Sequence, residues 1–133
     1  MVRNDNQEKE CHYYPFVVFE GLSGSGKTTI ARSLVATIGG IYLSSTPEFV
    51  AYVRKVFGDD RNLQERYLYY LLGNIHCSEV ARQMRIVRPV ICDRYLHSTI
   101  AIHTLLGVSA GLDVASLGLL QSDASYFLMT SDE

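Results

Sequence analysis

Gly21-Leu22-Ser23-Gly24-Ser25-Gly26-Lys27-Thr28 sets three glycines, a lysine and a hydroxyl in the spacing G-x-x-x-x-G-K-[ST]. Glycines allow a tight turn in which several backbone N–H groups point inward, a concave nest for phosphate oxygens. A lysine closing that turn reaches the β- and γ-phosphates, and the hydroxyl after it ligates Mg²⁺. Gly21, Ser23, Gly24, Ser25, Gly26, Lys27, Thr28 and Thr29 are therefore the residues expected to bind a nucleoside triphosphate. Asp93-Arg94-Tyr95 is the second group with chemical potential. An acid there can hold Mg²⁺ or orient an attacking oxygen, and the adjacent arginine can fork onto a phosphate. Lys27, Asp93 and Arg94 are the catalytic candidates, and Thr28 with Asp93 the metal ligands. The bland alternative is an Asp capping a helix beside a solvated arginine.

Such groups act together only if the elements around them deliver them to one place. The apolar run Phe16-Val17-Val18-Phe19 predicts a buried strand over about 16–20, directly before the glycine loop. A helical pattern over 27–38 follows and stops at Gly39-Gly40. A short strand over 41–43, a polar loop through Pro47 and a helix over about 48–57 come next, closed by Gly58-Asp59-Asp60. Leu63, Tyr67, Tyr70, Leu71, Ile75, Val80 and Met84 keep roughly helical spacing, which predicts one long helix over about 62–85. Pro89-Val90-Ile91-Cys92 reads as a buried strand that ends in Asp93-Arg94. Helices over about 96–106 and 113–121 and a strand over 124–129 complete the pattern. Strands alternating with helices, each strand almost continuously apolar, imply an α/β fold with a parallel sheet covered by helices on both faces. Right-handed crossovers then bring the C-terminal strand ends, with the glycine loop and Asp93, to one edge.

At 133 residues the chain is long enough for one domain with a real core, expected over 15–133 after a flexible tail at 1–14. A net charge of -2 speaks against nucleic acid as the main partner. No apolar stretch approaches the roughly 20 residues of a membrane span, and the polar start has no signal or transit pattern. Cys11, Cys77 and Cys92 form no C-x-x-C pair; Cys92 in an apolar run and Cys77 in a helical stretch read as buried reduced thiols, and a cytoplasmic setting is expected.

Three segments together resemble a family. They are Phe19-Glu20-Gly21 entering the loop, Tyr67-Leu68-Tyr69-Tyr70-Leu71-Leu72-Gly73-Asn74 with Ser78-Glu79, and Asp93-Arg94-Tyr95-Leu96-His97-Ser98-Thr99. They resemble the thymidylate kinase family of P-loop nucleoside monophosphate kinases, in its thymidylate-kinase-like and UMP/CMP-kinase-type members. The resemblance covers about residues 16–130 and implies a three-layer P-loop NTPase fold. It implies phosphoryl transfer from ATP, with Mg²⁺, to a nucleotide whose base lies against the long helix and whose phosphate meets Arg94. Glu48, Arg54, Tyr70, Arg94 and Ser98 are the acceptor-side candidates, with His97 and His103 near the same pocket. Nucleotide substrates are the expected partners, and a homodimer is implied because members often pair through helices beside the long one.

The chain also departs from the family pattern. Ser23 stands where many thymidylate kinases carry an acid. Aligned on Asn74, the family's base-stacking Phe and base-bonding Arg fall near Leu71 and Ile75, which leaves thymine itself unspecified. The family's arginine-bearing LID, fifth strand and final helix do not follow the fourth strand before Glu133, so the expected fold lacks them. Other assignments stay open at this point: a catalytically impaired nucleotide-binding module, or another small-molecule P-loop kinase acting on a deoxynucleoside or adenylylsulfate. The D-G-D segment of adenylylsulfate kinases and the D-x-x-G and N-K-x-D segments of GTPases are missing.

Overall fold

The apolar run at 16–19 becomes an inner strand of the sheet. In the computed structural model, which describes residues 11–57, 62–108 and 113–131, β1 (Phe16–Gly21) lies between β3 (Val90–Asp93) and β4 (Ala124–Leu128). With β2 (Ile41–Ser44) outside β3, the order is β2-β3-β1-β4. Every pairing is parallel, with Val18 opposite both Cys92 and Ser125, and Ser44 opposite Asp93. Parallel neighbours need long crossovers. These run through α1 (Lys27–Ile38), α2 (Glu48–Phe57), α3 (Leu63–Met84) and α4 (Leu96–Leu105). Gly21, Ser44, Asp93 and Leu128, the last residues of the four strands, therefore share one edge. The α/β class and the parallel sheet agree with the sequence.

Alternation along β1 divides the core in two. Phe16 and Val18 pack with Val90 and Cys92 against Cys77 and Ala81 of α3 and against Tyr95. Phe19 and Ile91 turn to the opposite face and pack on Ala31, Leu34 and Val35 of α1. The expected cover on both faces fails at β4. Tyr126 and Phe127 are consecutive, so they point to opposite faces, yet they are 55% and 66% exposed.

One further expectation needs correction. The helix expected over 113–121 is only a 3-10 turn, Val114–Leu117. Asp113 caps it by accepting from Ala115 N–H at 3.1 Å, and Gly118, at φ 61°, ends it. Arg82 then donates to the Gly118 carbonyl, and the Leu120 N–H is taken by Ser78 Oγ at 2.7 Å, so tertiary bonds replace a second turn. The long helix forms as expected, and on α3 Leu63, Ile75 and Met84 are exposed, while Gly73, Asn74, Cys77, Ser78 and Ala81 are buried with Tyr67 and Leu71. Small side chains win that face because the helix runs very close to the end of β2. A Cβ on Gly73 would collide with the Ser45 carbonyl oxygen, and Cys77 Sγ lies 3.0 Å from the Ser44 carbonyl.

Of the tail expected at 1–14, residues 1–10 lie outside the described residues, as does the turn Gly58-Asp59-Asp60. Tyr14 is fastened to the domain: its N–H donates to the Arg85 carbonyl at 2.7 Å, and Arg85 Nε donates to its carbonyl at 3.1 Å. Cys77 and Cys92 are buried and free, as expected. Among the described residues no helix is long and apolar enough to cross a membrane.

Candidate phosphoryl-transfer site

The glycine loop leaves β1 under steric constraint. Gly21 adopts φ 140°, and a Cβ there would strike the Leu128 carbonyl oxygen of β4. Gly26, at φ 83°, turns the chain into α1 as its N-cap, without a side-chain cap and with no acid in the first turn. The unpaired N–H groups of this 12-residue helix are thus left for an anion. Lys27 is buried at the loop's base, where its ammonium donates to the Leu22 carbonyl and to Ser25 Oγ at 3.0 Å. Burial, followed by the nearby Arg94 guanidinium, holds its pKa below the usual lysine value. Thr29 is exposed on the first turn of α1.

Across the edge, Asp93 is buried at the end of β3. Its Oδ2 accepts from the Thr28 hydroxyl and from the Tyr42 hydroxyl, the latter at 2.9 Å. Burial and that bond to Asp93 raise the Tyr42 pKa. Tyr42 escaped the sequence analysis, where it was one residue of a short strand.

Arg94 takes φ 64°, left-handed backbone that a non-glycine residue rarely adopts. Its N–H donates to the Phe19 carbonyl at 2.8 Å, and its Nη2 donates to Ser23 Oγ at 3.2 Å. Such strained positions cluster where a side chain must be aimed. Here the twist sends Asp93 toward Thr28 and Arg94 toward the glycine loop.

Behind Arg94 opens a cavity of about 230 Å³. Ser23 and Arg94 form one end, and Ser45 and Thr46, from the loop after β2, form a wall. Arg66 and Tyr70 enter from α3, and Ser98, Thr99, Ile102 and His103 from α4. Of the acceptor-side candidates, Tyr70, Arg94 and Ser98 thus meet in one place. The Arg54 guanidinium lies 5.1 Å from the Tyr70 ring centre, and Glu48 is exposed on the first turn of α2, outside the lining. His97 faces a second, apolar groove with Leu96, Ile100 and Leu119, whereas His103 lines the cavity.

Ser98 is already engaged. Its hydroxyl and its N–H, the latter at 3.4 Å, donate to the Glu20 carboxylate, which also accepts from Tyr95 N–H at 3.1 Å. Glu20, only 4% exposed, therefore caps α4 from the end of β1 and ties the Asp93-Arg94 turn to the glycine loop.

No family profile matches the chain. A probable thymidylate kinase of Methanococcus aeolicus is 35% identical over 97 residues, covering 70% of this chain and 49% of that protein. The crystal structure of thymidylate kinase from Ehrlichia chaffeensis superposes with a TM-score of 0.69 over 89% of this chain and 72% of that one, at 21% identity. The chain is similar in sequence and in fold to thymidylate kinases. Human mitochondrial UMP-CMP kinase 2 is 36% identical over 70 residues, which are 53% of this chain and 16% of that protein. The chain spans about half the length of the curated thymidylate kinases it matches. Tyr42 and Arg66 were not among the residues that the sequence singled out. The spacing of Arg66 and Tyr70, four apart on one helix face, was the one available signal for Arg66.

Proposed function

We propose that this protein is an ATP-dependent nucleotide kinase, passing the γ-phosphoryl group to a (deoxy)nucleoside monophosphate. The observation that carries it is the position of Arg94, which bonds Ser23 of the glycine loop and also lines the cavity. Donor cradle and acceptor cavity then meet at one guanidinium, whose planar fork suits a phosphate. Names among the relatives, thymidylate kinase and UMP-CMP kinase, support the same reaction class.

Phosphoryl transfer requires positioning and charge neutralisation more than a protein nucleophile. Gly21, Ser23, Gly24, Ser25 and Gly26 cradle the ATP phosphates, with Thr29 on the following turn. Lys27 exchanges its bonds to Leu22 and Ser25 for phosphate oxygens. The adjacent Thr28 hydroxyl and Asp93 carboxylate are hard oxygen donors that fit Mg²⁺, with Tyr42 fixing the carboxylate. When bound, Mg²⁺ would neutralise charge on the phosphates. Arg94 holds the acceptor phosphate so that one of its oxygens attacks the γ-phosphorus as the bond to the β-phosphate oxygen breaks and ADP leaves. Tyr70 offers its ring to the base, with Arg54 set against that ring, and Ser98 keeps α4 docked through Glu20. Glu48, exposed on α2 and outside the cavity lining, has no assigned part in holding the acceptor.

Coupled ADP release with dTMP, dUMP, CMP and UMP tests the proposal. Turnover on at least one of them is expected, and silence on all four refutes it. Lys27→Ala is expected to lower kcat by at least about 10²-fold, the scale of losing one positioned charge donor. An unimpaired Lys27→Ala enzyme would remove the glycine loop from the mechanism.

A further inference from the structure

Both hydrogen bonds to the Asp93 side chain converge on one of its oxygens. Oδ2 accepts from the Thr28 hydroxyl of α1 and from the Tyr42 hydroxyl of β2, the latter at 2.9 Å. A carboxylate can only accept, so each hydroxyl spends its single hydrogen there. Oδ1 accepts from no described residue. Yet among the described residues the buried side-chain atoms left without a partner belong to Arg66, Asn74 and His103, not to Asp93. Oδ1 is therefore not sealed in. It is the oxygen of this carboxylate that water or a cation can reach.

Tyr42 is held firmly enough to impose that division. Its ring packs against the half of the core formed by Phe19, Ala31 and Ile91. The Arg32 guanidinium, one turn beyond Thr28 on α1, lies 4.5 Å from the ring centre, an attractive cation–ring contact. Swinging the hydroxyl away from Asp93 would give up both contacts. Thr28 is oriented by the same arrangement: with its hydrogen committed to Asp93, its oxygen lone pairs remain for a cation.

We propose that Tyr42 is a positioning residue that makes the cation site of the glycine loop selective for Mg²⁺ over Ca²⁺, by leaving Asp93 only one oxygen to offer. Mg²⁺ demands near-octahedral geometry, keeps several waters and needs few protein oxygens, whereas Ca²⁺ takes roughly 6–8 oxygens and often both from one carboxylate. With Oδ2 occupied twice, Asp93 serves a cation, directly or through water, from Oδ1 alone. Thr28 and one carboxylate oxygen, with phosphate oxygens and water, satisfy Mg²⁺ and fall short for Ca²⁺. Without the Tyr42 hydroxyl, Oδ2 keeps one neutral donor, and the carboxylate can turn both oxygens toward the larger ion. The inference rests on the glycine loop holding a nucleotide with its metal, as proposed above.

The test is calorimetric binding of a non-hydrolysable ATP analogue to the full chain in saturating Mg²⁺, in saturating Ca²⁺ and in EDTA, for wild type and Tyr42→Phe. Wild type is expected to bind the Mg²⁺ complex about 10-fold more tightly than the Ca²⁺ complex, the scale of one hydrogen bond to a charged group. Tyr42→Phe, which keeps the ring beside Arg32, should reduce that preference to about two-fold or less. Affinity in EDTA should be the same in both proteins, because no phosphate contact is removed, whereas a merely structural Tyr42 would weaken all three conditions alike. Equal binding of the two metal complexes by wild type overturns the selectivity without recourse to any variant. An unchanged preference in Tyr42→Phe, or a loss as large in EDTA as in Mg²⁺, overturns the part given to Tyr42 and leaves the nucleotide site standing. Failure of wild type to bind the analogue in all three conditions overturns the glycine loop as a nucleotide site, and the reading of Tyr42 with it.

Discussion

Removing the Glu20 carboxylate is expected to loosen the site without touching a phosphate ligand. Glu20 closes β1, and its oxygens take the Tyr95 N–H, the Ser98 N–H and the Ser98 hydroxyl at the start of α4. In Glu20→Ala the Tyr95 N–H is left in a buried position, a loss of about 1–3 kcal/mol. The N-terminus of α4 also loses its negative partner, about 1 kcal/mol for a partly buried charge at a helix start. The Ser98 hydroxyl and N–H, at the cavity wall, can turn to water and add little. The sum is about 3 kcal/mol, which in a domain of this size moves Tm down by roughly 10 °C. Glu20→Gln retains an acceptor for Tyr95 and gives up only the charge, so about 1 kcal/mol is expected. Urea and thermal unfolding of the two variants measure the difference. Because Arg94 sits between β3 and the capped helix, Glu20→Ala should also weaken monophosphate binding more than Glu20→Gln does. If Glu20→Ala loses less than about 1 kcal/mol, or no more than Glu20→Gln, the carboxylate is not the cap described here.

Gly73→Ala is expected to destabilise by at least about 2 kcal/mol, since its Cβ meets the backbone oxygen of Ser45 rather than a movable side chain; chemical denaturation checks this, and a neutral substitution would contradict the close passage of α3. His103 supplies a pH signature. Burial, reinforced by Arg66 and opposed by the Thr99 carbonyl, holds its pKa below the ordinary 6.5, so the unfolded chain binds a proton before the folded one does. Stability should be full above 6.5 and fall as pH drops from 6.5 through the depressed folded value, and His103→Phe should flatten that part of the Tm–pH curve. An identical acid profile in wild type and variant would show that His103 does not titrate in the way its surroundings demand.

The features legible in the sequence were those fixed by local chemistry. Lys27 and Thr28 follow glycines whose spacing admits few other uses, and Asp93 ends an apolar strand that could belong only to a buried parallel sheet. Element limits for α1, α2 and α4 followed from periodicity and from the glycines behind them. The losses came where a distant partner decided the outcome. Arg66 reads as a solvated charge on a helix until α4 is laid beside it. Tyr42 gains meaning only when β2 and β3 align Ser44 with Asp93. Which face of α3 would be buried was not legible, because the loop at Ser45 leaves room only for small residues such as Gly73. Residues 113–121 kept one 3-10 turn because Asp113, Gly118 and Ser78 had better hydrogen bonds to offer than another helical turn.

The pairing of β1 with β4 also sets a timetable. Phe16 N–H donates to Asp123 Oδ2 at 2.7 Å, across 107 residues, and Gly21 packs on the carbonyl of Leu128. Contacts so far apart along the chain form slowly, since a large loop must close before they return any stabilisation. During synthesis the glycine loop emerges early, yet the strand that braces its first glycine is made more than a hundred residues later. The nascent chain therefore carries its phosphate-binding sequence long before it has a phosphate-binding shape, and nucleotide can stabilise the domain only after β4 is in place.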